Sequence, residues 1–242
     1  MRSPVERMDN GPHVMPATKS EEELLRLLQR YPLPLENGKP MRFSYGTAGF
    51  RYDASLLDSL MVREGILAAL RSSQTKRQVG IMVTASHNDE SYNGVKLADP
   101  DGGMMAQDGE ALAIKISNAS LDELRTFLDI PVTGTVVHVG RDTRSHSPHL
   151  TQLAIRAAQA MGATVVSHGI VTTPMLHHVV LHANPQYLPL LIPPRPNLQG
   201  YYDLLAHSYH ALLLTGTPLE QQQQEPLVVD CACGVGYAPV QR

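Results

Sequence analysis

The stretch "GIMVTASHNDESYNGVK", residues 80–96, decides how the rest of the chain is read. Ile81, Met82 and Val83 form a short apolar, β-favouring run of the kind that makes a buried strand. The run breaks abruptly into Thr84, Ala85, Ser86, His87 and Asn88, so the strand delivers a serine beside a histidine at its end. Ser86 is placed there to act as a nucleophile, His87 can exchange protons near neutrality, and Asn88 can orient groups by hydrogen bonds. Asn93 and Gly94 read as a turn that returns Lys96, a mobile cation, towards the same place.

The segments on either side alternate between helix and strand. Ser20 and Glu23 form a capping-box pattern opening "SEEELLRLLQR", with Leu24, Leu27 and Leu28 on one face. "SLLDSLMVREGILAALRSS" (55–73) has helical spacing and precedes the serine strand. Ser120 and Glu123 repeat the capping box, and "TVVHV" (135–139) reads as a strand. "PHLTQLAIRAAQAMG" (148–162) is a helix closed by Gly162, "ATVVSHG" (163–169) a strand, and "TTPMLHHVVLHA" a helix capped by Thr173. Short turns joining strands to helices indicate an α/β layer fold. A proline-rich connection follows at 184–197, then a helix over "GYYDLLAHSYHALLLTG" and a polar linker, "TPLEQQQQEP". "LVVDCACGVGY" (227–237) reads as a buried strand entering a glycine turn, the opening of another βαβ unit.

The 242 residues are 43% hydrophobic and 18% charged, enough to bury a sizeable core, with a formal net charge of −3 and no basic block. That balance argues against a nucleic-acid or membrane surface, whereas a few converging cations suffice for an anionic small molecule. Cys231 and Cys233 are too few for a zinc cage and read as reduced thiols. The first residues, with Glu6 and Asp9, do not have the apolar core of a secretory signal, and no apolar run approaches the ~20 residues needed to span a bilayer. A soluble cytoplasmic protein is the expectation.

Two further pieces carry chemistry. In "YGTAGFRYD" (45–53), Gly46 and Gly49 allow a tight anion-approaching loop and Arg51 adds a fixed charge. In "VGRDTR", Arg141 and Arg144 flank Asp142 at a strand end. Serine, lysine, asparagine and arginine on strand-end loops suit phosphoryl transfer, which needs neutralisation of oxygen charge more than covalent chemistry. Singly, each motif is no more than a polar or glycine turn. The Asp99–Glu110 spacing imitates a calcium loop but has Met104 at the glycine position. His178 and His182, four apart on a helix, read better as structural than as metal ligands.

In combination, these residues resemble the α-D-phosphohexomutase family, and within it the branch acting on N-acetylglucosamine phosphates. "TASHN", "NGVKL", "TTPMLH", "GYY" and "VDCACGVGY" carry the likeness, which runs from about Tyr45 to Tyr237. "GRDTR" stands after the serine loop, as in that branch, rather than before it. Asp89, Gly103 and the "CACG" run depart from the family pattern. The resemblance implies a mixed-sheet α/β/α layer domain at 20–183, preceded by a flexible leader (1–19). It also implies a linker and connecting helix (184–226) and the first strand of a second such domain (227–242). It implies a mutase interconverting N-acetylglucosamine 6-phosphate and 1-phosphate through a phosphorylated Ser86 and a bisphosphate, for UDP-N-acetylglucosamine synthesis. Ser86, His87, Lys96 and Arg51 would be catalytic, and Asn88, Asn93 and Gly94 would bind substrate. Mg²⁺ would sit on phosphorylated Ser86 and on a family loop, Asp-Gly-Asp-Ala-Asp-Arg, that this sequence does not contain. The chain by itself is therefore expected to be inactive or weakly active. A sugar-phosphate-binding remnant and a serine-based phosphatase are the alternatives.

Overall fold

A computed structural model describes residues 11–47, 49–190, 192–215 and 228–241. In chain order the elements are β1 (His13–Met15), α1 (Glu21–Arg30), β2 (Leu35–Glu36), β3 (Lys39–Pro40), β4 (Phe50–Asp53), α2 (Asp58–Thr75), β5 (Val79–Val83) and β6 (Tyr92–Ala98). There follow α3 (Gln107–Ser117), α4 (Leu121–Leu128), β7 (Val136–Arg141), α5 (Ser147–Met161), β8 (Thr164–Ile170), α6 (Thr173–Ala183), α7 (Leu198–Thr215) and α8 (Tyr237–Val240). Six strands make one mixed sheet in the order β1-β8-β7-β5-β6-β4. β5, β7 and β8 run parallel, while β6, β4 and β1 are antiparallel to their neighbours.

The period of two along β5 explains the layers. Val79, Ile81 and Val83 enter the larger core under α2 and α5, whereas Met82 joins a second cluster with Val171, Met175 and Leu176. Gly80 lies on this second face, where a Cβ would come 2.8 Å from Val180 Cγ2; its absence lets α6 settle on the sheet. On the first face Gly65 of α2 lies against α5, with Ala154 O only 2.3 Å from a would-be Cβ. α7 packs on α6 through Leu198, Tyr201 and Tyr202. The architecture is thus the expected α/β/α mixed-sheet domain. No described helix is long and apolar enough to cross a membrane.

Local detail differs from the sequence reading at several points along the chain. Residues 13–15 of the expected leader form β1, and Thr18 N and Ser20 N donate to Gln159 O and Ala160 O of α5; residues 1–10 lie outside the described residues. Glu23 leaves its capping box half made: Ser20 Oγ accepts from Glu23 N, but the carboxylate turns to Arg26 and Arg156, whereas Ser120 and Glu123 make the full box. Thr172, not Thr173, caps α6, its Oγ1 accepting from Met175 N. The strand expected over 227–230 is not formed: Val228 to Asp230 carry no strand, pair with none of the six, and leave Val228 89% exposed, while Leu227 is outside the described residues. A lone strand with no neighbour has nowhere to place its backbone hydrogen bonds. The polar linker at 217–226 also falls outside the described residues.

Candidate functional site

The site is built at the end of β5. Past Val83 the chain makes a compact loop over 84–91 before returning as β6, and Ser86 stands in it with φ +56°. A non-glycine residue in this left-handed region costs on the order of 1 kcal/mol and persists only where its surroundings enforce it. Those surroundings are specific. Ser86 N donates to Thr84 Oγ1 (3.1 Å), Thr84 Oγ1 donates to Asp142 Oδ2 (2.9 Å), and Asn88 N donates to Ala85 O (3.1 Å). The buried Asp142 carboxylate also accepts from Ser147 Oγ (2.5 Å), from Arg144 N (3.1 Å) and from Arg144 Nη1 (2.7 Å). Arg144 Nη2 then donates to Asn88 O (2.6 Å) and reaches Ser86 O at 3.5 Å. "GRDTR" is therefore the clamp on the back of the serine loop. Its aspartate is consumed by that task, and Arg144 is turned towards backbone carbonyls.

Asn93 and Gly94 do not make a turn; they lie inside β6. Asn93 is fully buried, and its Nδ2 donates to His146 Nδ1 (2.9 Å) and Ser147 Oγ (2.8 Å) while its Oδ1 accepts from Gly94 N (2.8 Å). His146 Nε2 donates to Glu90 O (3.0 Å), tying the far end of the serine loop to the same network. With its amide so engaged, Asn93 holds the loop rather than facing solvent. Gly94 is needed because a Cβ would lie 2.3 Å from Phe50 O and 2.9 Å from Thr84 O.

The cations come from neighbouring strands. Arg51, also expected in a loop, lies on β4 opposite Gly94, and Lys96 lies on β6 opposite Met82. Directly paired residues share a face, so Arg51 and Lys96 stand side by side on the face that carries α6. Gly94 leaves room for the Arg51 stem, whose Cγ is 3.1 Å from the missing Cβ. Gly49 brings its loop against Lys96, whose Cβ would be 2.9 Å from a Gly49 Cβ. Lys96 is half-buried rather than mobile, and burial, then the charge of Arg51, hold its ammonium below the usual lysine range. Neither cation has a carboxylate partner among the described residues. Two cations without a carboxylate partner, on adjacent strands of the sheet whose β5 leads into the serine loop, make a receptive place for an anion. His87 and the Asn88 side chain lie in the same loop, with His87 exposed.

The buried carboxylates and the histidine pair are structural. Asp99 is held bidentately by Arg71 (2.9 and 2.7 Å), not left open for a cation. The His178 and His182 rings lie 4.0 Å apart and grip the backbone of Arg195, His178 Nε2 donating to its O and His182 Nδ1 accepting from its N. For Mg²⁺ the fit is poor: Asp142 is fully engaged, Asp89 accepts from Ser91 N and Oγ, and no group of three metal-ligating side chains exists among the described residues. The loop still offers the exposed Ser86 hydroxyl and the exposed Glu90 carboxylate, which together fall short of the three-carboxylate set that the resemblance implies. Sequence reasoning missed Thr84, His146 and Ser147 as loop-holding residues. A β-branched hydroxyl closing the strand and the "SHSP" helix start are the only local signals for them.

An α/β/α mixed sheet that presents a clamped serine loop, with two cations on adjacent strands, is the architecture of a phosphohexomutase-type domain. The sequence profile of the phosphoglucomutase/phosphomannomutase α/β/α domain I matches residues 52–123 and 109–188, and the chain belongs to that family. It is 40% identical to the phosphoacetylglucosamine mutase of Homo sapiens over 202 residues, 79% of this chain and 36% of that protein. A solved structure of Aspergillus fumigatus N-acetylphosphoglucosamine mutase superposes with a TM-score of 0.77 at 34% identity, over 94% of this chain and 42% of that one. A structure of the same fungal enzyme in complex with GlcNAc-6P and magnesium gives 0.67 at 36% identity, over 80% and 36%. The chain thus spans well under half the length of these relatives.

Proposed function

We propose that this chain is the phosphoserine-bearing part of a phosphoacetylglucosamine mutase, working on N-acetylglucosamine phosphates towards UDP-N-acetylglucosamine. The observation that carries the reading is the left-handed Ser86, its backbone clamped through Thr84 and Asp142, on the sheet end where Arg51 and Lys96 are unpaired. In the transfer, the bond between phosphorus and Ser86 Oγ breaks as the free sugar hydroxyl forms its own bond to phosphorus. The hydroxyl proton passes to Lys96, when it is the neutral amine, or to His87. Arg51 and the Lys96 ammonium face the oxygens that gain charge. Reversal with the other phosphate of the bisphosphate restores phosphorylated Ser86. Asn88 would bind the sugar phosphate, while Asn93 and Gly94 would act by shaping the loop.

In a relative, magnesium accompanies the sugar phosphate. Here a phosphorylated Ser86 would supply one oxygen to that ion, whereas the described residues gather no set of carboxylates for it. Free thiols at Cys231 and Cys233 and a soluble sugar-phosphate substrate fit a cytoplasmic setting.

Incubation with glucose 1,6-bisphosphate followed by peptide mass spectrometry tests the reading. Phosphate on Ser86 that is absent from Ser86→Ala is the expected result. Rapid release of inorganic phosphate would favour a phosphatase, and no labelling at all would favour a binding remnant. Phosphate confined to Thr84 or Ser91 would overturn the assignment.

A further inference from the structure

His177 is the residue of "TTPMLHH" whose chemistry the fold leaves open. It follows Leu176, which packs with Met82, and Met82 is the cross-strand partner of Lys96, so α6 lies over the face on which Lys96 stands. His177 Nδ1 lies 2.8 Å from Gly102 O. A carbonyl oxygen only accepts, so Nδ1 carries the hydrogen and Nε2 presents a bare lone pair in the neutral ring. That Nε2 is buried without a hydrogen-bond partner. Burial chiefly keeps the ring below its ordinary titration range. The Gly102 hydrogen bond and Asp101 oppose this, and the charge of Lys96 adds to it, so Lys96 is the cation whose field reaches this ring.

We propose that His177 is a positioning residue for Lys96: its bare Nε2, unpartnered in this structure, takes a hydrogen bond from the Lys96 ammonium when the lysine side chain turns towards α6, and so fixes the direction of that cation at the phosphoryl-transfer site. The role rests on the function proposed above; the contact itself does not. A buried acceptor left empty is costly, and a neutral one is what this place requires. A carboxylate would neutralise Lys96 and remove it from the service of a phosphate. Imidazole orients the ammonium and leaves its charge whole. A neutral acceptor also favours the charged form, partly offsetting the burial and the Arg51 repulsion that lower Lys96.

The test reads Lys96 directly, without substrate, by the pH dependence of its acetylation with acetic anhydride, followed peptide by peptide in the full 242-residue chain. His177→Leu, which lacks an acceptor, should lower the Lys96 midpoint by about half a unit or more, about a threefold rise in neutral amine at fixed pH. His177→Gln, which keeps a neutral acceptor, should stay near wild type. In the reverse direction, Lys96→Met in the otherwise native chain should raise the His177 midpoint seen by ¹⁵N NMR of the ring. This second arm does not depend on the leucine variant folding. An unchanged Lys96 midpoint in folded His177→Leu, or an unmoved His177 in Lys96→Met, would overturn the proposal. Coupling without any Ser86 labelling by glucose 1,6-bisphosphate would leave the contact standing and sink the mutase reading instead.

Discussion

Glu64 sits in the middle of α2, fully buried, with one hydrogen bond from Ser117 Oγ (2.9 Å). Burial pushes its carboxyl up from 4.5 to about 8, and the Ser117 bond only partly opposes this. The folded protein therefore keeps this proton through neutrality, whereas the unfolded chain loses it near the ordinary value. Between those two values the folded state binds more protons, so this residue makes stability fall as pH rises from about 4.5 to about 8. Below that window both states are protonated and the penalty vanishes. Glu64→Gln should remove the slope, leaving the variant more stable than wild type at pH 8 and similar at pH 4.5. Urea unfolding across that range measures it, and a wild-type curve that gains on the variant as pH rises would refute the account. Nothing in the local sequence announces Glu64, because a glutamate in a helix is ordinarily solvated. Only the layer of α3 laid over it makes the difference. Ser86 is the opposite case, since the apolar run ahead of it already marks it as the residue at a strand end. Its left-handed backbone is not legible in that way, as it depends on Asp142, which lies 56 residues further along the chain.

At the scale of elements, the loop after β7 and the loop after β5 behave as one unit. Asp142 accepts four hydrogen bonds, one from a guanidinium that in turn holds the serine loop. Removing the carboxylate strands a largely buried Arg144 charge, so Asp142→Ala should cost about 3–5 kcal/mol. It should also speed amide exchange at Ser86 and Asn88. Arg144→Ala leaves Asp142 with Thr84, Ser147 and the backbone N–H of residue 144, and should cost less while freeing the carbonyls of Ser86 and Asn88. If exchange at Ser86 is unaffected by either change, the clamp is not what holds the left-handed turn. The helix pair α2 and α5 offers a second test. A methyl at Gly65 would press on Ala154 O, a backbone atom that cannot rotate away, so Gly65→Ala should destabilise by about 1–3 kcal/mol, although alanine is the better helix former. The helices are legible in the sequence because their apolar residues recur at helical spacing over many positions. β4 and β6 are not. Asn93–Gly94 has the composition of a turn, and only the close approach of Phe50 O and the burial of the Asn93 amide reveal why those residue types belong in a strand.

For the whole molecule, the question is which parts of the surface the core depends on. α7 divides sharply along its length. Leu198, Tyr201 and Tyr202 close the second apolar cluster over Met82, Val171, Met175 and Leu176, and Arg195 pairs with Asp203 beside them (2.8 Å). From Leu204 to Leu214 every residue is exposed, with Leu214 87% accessible. Leu205, Tyr209 and Leu213 follow helical spacing and make an apolar stripe, yet all three stay exposed. Apolar surface of this kind contributes little to folding and favours association between molecules. Replacing Leu205, Leu213 and Leu214 by Lys together should therefore leave the thermal midpoint within about 2–4 °C, the shift that about 1 kcal/mol produces in a domain of this size. The same variant should stay monomeric at concentrations where the unaltered chain self-associates in sedimentation velocity. Tyr201→Ala is the contrasting change: it opens the second cluster and should lower the midpoint by clearly more, as loss of a packed aromatic costs up to about 3–5 kcal/mol. A triple-lysine variant that melts as early as Tyr201→Ala would mean the outer turns of α7 are packed in solution. Its exposed leucines would then belong to the folded core and not to a free face.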